Sequence, residues 1–173
     1  MNARRATYLQ GLACIATTAM LTTGCTTLEE QLPDGTTSTE MLRAMGTPDV
    51  TCPLPGGGER WVWSGQPFFQ ASWATEVRPD NTTTGLEQVL TDESFDRLRQ
   101  GTWHIDQVRC TWGPPADITG VGWGNNVHTV WSYSYRQGGV WNSLMHVYFD
   151  PAGHVTRHHP GPDPMYDPNL REM

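Results

Sequence analysis

The chain has 173 residues, enough for one ordinary domain or two small ones, with eleven Arg, no Lys and 18 acidic residues for a formal net charge of −7. That balance contains no basic stripe and excludes nucleic acid as a partner class. Eight Trp set against few Ile and Leu mean that rings must supply much of the buried apolar area.

Residues 1–24 read as an address: Arg4 and Arg5 form a basic head, Tyr8 to Thr23 is moderately apolar, and "LTTGC" closes the segment. Gln10 and the threonines make this run too polar, and it is barely long enough, to cross a bilayer. It resembles a bacterial lipoprotein signal, which implies that Cys25 is lipidated and becomes the first mature residue. Leu21 stands four residues before the Cys and Thr22 three, where the usual pattern has Leu. Thr26 in place of an Asp resembles lipoproteins sorted to the outer membrane. Several acyl chains, at about 0.8 kcal/mol per buried methylene, would anchor the protein firmly. Residues 25–34, with only Leu28 and Leu32 as apolar anchors, are expected to form the lipidated tether.

The next elements recur later in the chain. Thr37 and Glu40 fit a capping box, Met41, Leu42 and Met45 form one helical face, and Gly46 and Pro48 stop it. Strands are expected at 59–64, 70–78 and 85–90. Thr91 or Asp92 can cap a helix carrying Phe95 and Leu98 that ends at Gly101. A further helix presents Ile105, Val108 and Trp112 before Gly113, Pro114 and Pro115 end it. The glycine-rich stretch 120–126 reads as a loop, followed by strands at 127–136 and 140–149 and a short one from Val155. The tail from Pro160 has no periodicity and reads as disordered, apart from Met165, Tyr166 and Leu170, which could dock on a partner.

"MGTPD" at 45–49 and "WGPPAD" at 112–117 place their glycines 67 positions apart, while Trp61 and Trp63 answer Trp131 and Tyr133 at 70, as Val77 and Asp80 answer Val147 and Asp150. A three-residue loop insertion reconciles the two offsets. The chain therefore reads as two units, a degenerate one at 35–92 and a clearer one at 93–160, followed by a tail at 161–173. Trp131, Tyr133 and Tyr135 share one strand face, as do Met145, Val147 and Phe149 on the next, and short helices could cover both.

After the signal, Cys52 and Cys110 are the free thiols of an oxidising compartment. They can pair and close a loop of about 59 residues, worth roughly 4 kcal/mol, or remain separate. His146, His154, His158 and His159 cluster in sequence, but no Cys or carboxylate completes a ligand set, so no metal is expected. "GVGWG" at 120–124 lacks the strand-before, helix-after context of a phosphate loop. No catalytic motif is present, so neither an enzyme nor a cofactor is expected.

Gly101, Gln107, Val108, Gly113, Pro115, then Trp131, Tyr133, Tyr135, Arg136 and Gln137, and finally Phe149, Gly153 and Val155 form a pattern. It resembles the BamE (SmpA/OmlA) family of outer-membrane lipoproteins over residues 93 to about 157, with 35–90 as a weaker second copy. The resemblance implies an α+β fold of two tandem units, each with two short helices on a three-stranded antiparallel sheet. It also implies a periplasm-facing, lipid-anchored scaffold or assembly factor serving the barrel-assembly machinery, and contact with a protein partner and anionic phospholipid. Tyr133, Tyr135, Arg136 and Gln137 lie in the matched motif and are the implied contacts; the Arg136 guanidinium suits phosphate or carboxylate. A tandem of helix-plus-sheet units also resembles the proteinaceous β-lactamase inhibitors, which gives an enzyme inhibitor as the second expectation.

Overall fold

The computed structural model describes residues 26–123 and 126–166. The signal segment and Cys25 lie outside the described residues. The first half runs α1 (Leu28–Gln31), β1 (Asp34–Thr37), α2 (Ser38–Met45), β2 (Val50–Pro53), β3 (Glu59–Ser64), β4 (Ser72–Val77), β5 (Thr82–Thr84) and β6 (Glu87–Gln88). The second half runs α3 (Asp92–Asp96) with a 3-10 turn (Arg97–Arg99), α4 (Ile105–Trp112), β7 (Asp117–Trp123), β8 (Asn126–Gln137), β9 (Trp141–Phe149) and β10 (Val155–Pro162). The fold is α+β with two antiparallel sheets. One has the order β1-β5-β4-β3-β2, with β6 also on β4, and the other has the order β10-β9-β8-β7.

Several expectations are corrected. Neither sheet is three-stranded: the first has six strands and the second four. The stretch expected as a loop from 120 is largely β7, paired residue for residue with β8 from Asp117↔Ser132 to Trp123↔Asn126. Gly120 and Gly122 hid it, because residues without side chains break the alternation that marks a strand. The tether is also more ordered than expected. Leu32 is buried and β1 pairs with β5. Gly161 and Pro162 of the expected tail complete β10 against β9.

The helices explain the layering. Thr37 caps α2 with Glu40 returning the bond, and His104 caps α4 with Gln107 in the same way, so both eight-residue helices begin with a capping box. Both end on a glycine, Gly46 at φ 77°, ψ −164° and Gly113 at φ 82°, ψ −168°, a conformation that a side chain would strain. Each glycine carbonyl then accepts from a ring on the following sheet: the Trp63 indole donates to Gly46 and the Tyr133 hydroxyl to Gly113, both at 3.0 Å. The Tyr133 bond is buried, so Tyr133→Phe is expected to cost about 1–2 kcal/mol in urea unfolding by leaving that carbonyl without its partner.

α2 covers one face of the first sheet, where Met41 packs with Trp61, Trp63, Val77 and Leu86. On the sheet's other face Val50, Val62 and Ala74 join a larger core with Val108 and Trp112 of α4, and with the inward stripe Trp131, Tyr133 and Tyr135 of the second sheet. The aromatic alternation of β8 is thus an inner face, as its period required. The helices α3 and α4 serve both sheets at once. Cys52 of β2 is disulfide-bonded to Cys110 of α4, with Cα atoms 5.9 Å apart. Arg60 reinforces the joint: its guanidinium donates to the carbonyls of Cys110 and Thr111 at the end of α4 and pairs with Glu76 and Glu87.

The serines between the aromatics of β8 belong to the opposite face. At the offset of 70, Ser132 stands where β3 has Val62. Val62 meets α4, whereas Ser132 belongs to neither apolar core and faces His146 at 2.9 Å. Ser134 likewise donates to the buried Asp163 carboxylate. A layered stack needs an apolar face only where another layer follows, so its last face is polar.

Acid is expected to weaken the fold in two stages. Partial burial holds the His146 and His158 imidazoles below their ordinary value, aided by His159 and Arg99 respectively, so the unfolded chain takes up protons first. Stability is therefore complete above the ordinary histidine range and falls as pH drops below about 6.5. Further down, hydrogen bonds from Thr37, Thr82 and the His154 amide hold Glu40, Asp80 and Asp150 below the usual carboxylate range, so their contribution is lost as pH passes through that range. Urea midpoints measured against pH should show both stages, and His146→Gln should shrink the upper one.

Candidate partner-binding surface

The four residues singled out by sequence do not form one surface. Tyr133 and Tyr135 are fully buried; burial pushes both phenols above their ordinary value, and at Tyr135 the neighbouring Asp92 carboxylate adds to this. Their rings pack on Phe95 at 6.0 Å and 5.1 Å. As partner contacts they are corrected to core residues, because odd positions of β8 point at α3 and α4. Arg136 is exposed and Gln137 half-buried at the strand's end. Arg136 donates to the Asn142 side-chain oxygen at 3.1 Å, and Gln137 accepts from Ser143 at 2.9 Å. Among the described residues Arg136 has no ion-pair partner.

Beside this strand end lies a cavity of about 560 Å³ lined by Tyr135, Gln137, Asp92, Arg99, Met145 and His158, among others. Its polar groups are largely engaged. Asp92 accepts from the Tyr135 hydroxyl at 3.0 Å and from the Gly138 amide at 2.6 Å, and Arg99 pairs with Asp96. The arrangement fixes the β8–β9 turn to α3.

What sequence reasoning missed is the apolar rim around the same strand end. Phe68 and Phe69, 78% and 70% exposed, sit on the loop after β3. Val140 sits on the β8–β9 turn and Trp141 opens β9, and Met165 and Tyr166 follow β10. Hydrogen bonds tie all three segments to one stretch of chain. The Gln66 amide grips the Ser134 main chain on both sides and the Phe69 carbonyl, Gln137 pairs with Trp141, and Asp163 meets both Ser134 and the Asn142 carbonyl. The signal was available in "QPFFQ" and "GGVW", where apolar residues occupy turns with no periodic partner.

Among the described residues no group of three or more His, Cys, Asp or Glu is placed to hold a metal, and no helix is long and apolar enough to cross a membrane. Histidines do pair: His146 and His159 have ring centroids 5.4 Å apart, with the Tyr148 hydroxyl 3.1 Å from His159, and His104 and His154 have theirs 5.5 Å apart, beside Asp106 and Asp150 respectively. Comparison with protein-family models, curated proteins and solved structures found no match for this chain.

Proposed function

We propose that the chain is a non-catalytic, lipid-anchored envelope protein built from two tandem BamE-like units. It is held by Cys25 in the outer membrane, faces the periplasm, and acts as a scaffold in the assembly of β-barrel outer-membrane proteins. The observation that carries this reading is the pairing of α2 with α4. They are equal in length and 67 residues apart, each opens with a capping box, and each ends on a glycine in the same conformation that accepts a ring hydrogen bond from the next sheet. Unrelated segments have no reason to share all of these features. The turns agree: Asp80 accepts from the amide two residues on at 3.0 Å, and Asp150 does so at 2.9 Å.

The partner side is the rim at the end of β8, where Arg136, which has no ion-pair partner among the described residues, is exposed at the same strand end as Phe68, Phe69, Val140 and Trp141. That combination suits a protein surface with an acidic group, or an anionic headgroup close to the anchor. The burial of the aromatic stripe weighs against the inhibitor reading, which needs an open, ring-rich sheet face. The test is in-cell crosslinking from a photoreactive residue at Trp141, with Arg43 as control position. Capture of barrel-assembly components supports the reading; capture of a single soluble hydrolase replaces it with inhibition.

A further inference from the structure

The two sheets present several edges, and most of them are blunted. β10 carries Pro160 and Pro162 and a register shift between Val155 and Arg157. β2 is four residues long, ends on Pro53 and is clamped through Cys52. β1 is equally short, with a register shift between Asp34 and Thr37. These are the usual protections against unwanted strand pairing.

β7 has none of them. It is seven residues long, contains no proline, pairs with β8 without a register shift, and is exposed at every residue. Its single charged side chain is Asp117. Trp123 is 93% exposed and Ile118 58%.

We infer that β7 is the interface between two copies of this chain, pairing antiparallel with itself about a two-fold axis at Gly120 to make one continuous eight-stranded sheet. The strand is its own complement in that register. Gly120 meets Gly120, Thr119 meets Val121, Ile118 meets Gly122 and Asp117 meets Trp123. The two Asp117 carboxylates lie at opposite ends of the pairing, each beside an indole N–H donor instead of a like charge.

The glycine supplies the fit. Gly122 stands at φ 135°, where any side chain is strained, and it pairs with Val127 on β8. It leaves a gap on the face it shares with Val127. The partner's Ile118, directly opposite in the proposed register, fills that gap and reaches toward Val127, which is 47% exposed. Three exposed apolar side chains of each copy, Ile118, Val121 and Trp123, are brought beside the other copy by one set of main-chain bonds. This inference is independent of the proposed envelope function.

Sedimentation of the purified full-length protein over a dilution series tests it. The wild type is expected to be a concentration-dependent dimer. Thr119→Lys with Val121→Lys places like charges opposite each other twice and should raise the dissociation constant by about tenfold or more. Thr119→Lys with Val121→Glu places opposite charges there and should restore the dimer, with a salt dependence the wild type lacks. Both positions are exposed in the single chain, and circular dichroism checks that the variants fold. A wild type that stays monomeric throughout, a Lys/Lys variant that dimerises unchanged, or a Lys/Glu variant that behaves like the Lys/Lys one overturns the inference.

Discussion

Replacing Cys52 and Cys110 together by serine is expected to lower stability by about 4 kcal/mol, and the melting temperature by roughly 10 °C, because the bond closes a long loop in the unfolded chain. The residues are 58 apart, and the bond joins an edge strand of the first sheet to the helix that lies between the sheets. Its removal therefore loosens the contact between the two halves as well as freeing the unfolded chain. Calorimetry of the double variant beside reduced wild type checks the prediction. A melting temperature unchanged in both would mean that the Arg60 contacts and the shared core suffice to hold α4 in place.

Trp112→Ala is expected to cost about 3–5 kcal/mol, the range for deleting a large buried ring. Trp112 has no exposed surface, stacks on Phe95 at 5.3 Å, lies 5.2 Å from Trp103, and donates its indole N–H to Ser94. It is the ring on which α3, α4 and both sheets meet, so the cavity cannot close by moving one element alone. Against a typical total of about 5–15 kcal/mol, such a loss leaves the protein marginal or unfolded. Trp141→Ala is the control: its ring is 72% exposed, and urea unfolding should barely change. Equal losses for both variants would contradict the packing described.

How much of this was legible in the sequence depended on what each residue contacts. The helices α2 and α4 were legible because capping and stopping are local chemistry: Thr37 with Glu40 at one end, Gly46 or Gly113 at the other. The strands of the second sheet were legible from period-two alternation in β8 and β9. β7 was not, because glycine at 120 and 122 removes the alternation on one face. The order of the tether is not legible because it has only Leu28 and Leu32 as apolar residues, and the burial of Leu32 depends on Trp61, Trp63, Val77 and Leu86, far along the chain.

The candidate site was the least legible part. Sequence resemblance directs attention to a motif, and a motif can be shared for packing as readily as for contact. Tyr133 and Tyr135 occupy the positions where β8 meets α3 and α4, so their spacing reported the core. The exposed apolar side chains of the rim come from residues 68–69, 140–141 and 165–166, and only the fold brings those segments to one strand end. The position of α4 between two sheets was equally hidden, because amphipathic spacing announces one buried face. Its second face uses Cys110 and the carbonyls that Arg60 caps.

The covalent link from β2 to α4 also bears on how the molecule meets a protease. A single main-chain cut anywhere between Cys52 and Cys110, including in the segment joining the halves, leaves both fragments in one particle. Such nicked molecules would keep their mass under oxidising conditions and separate only when a reductant is added, so the protein could carry one scission and stay assembled.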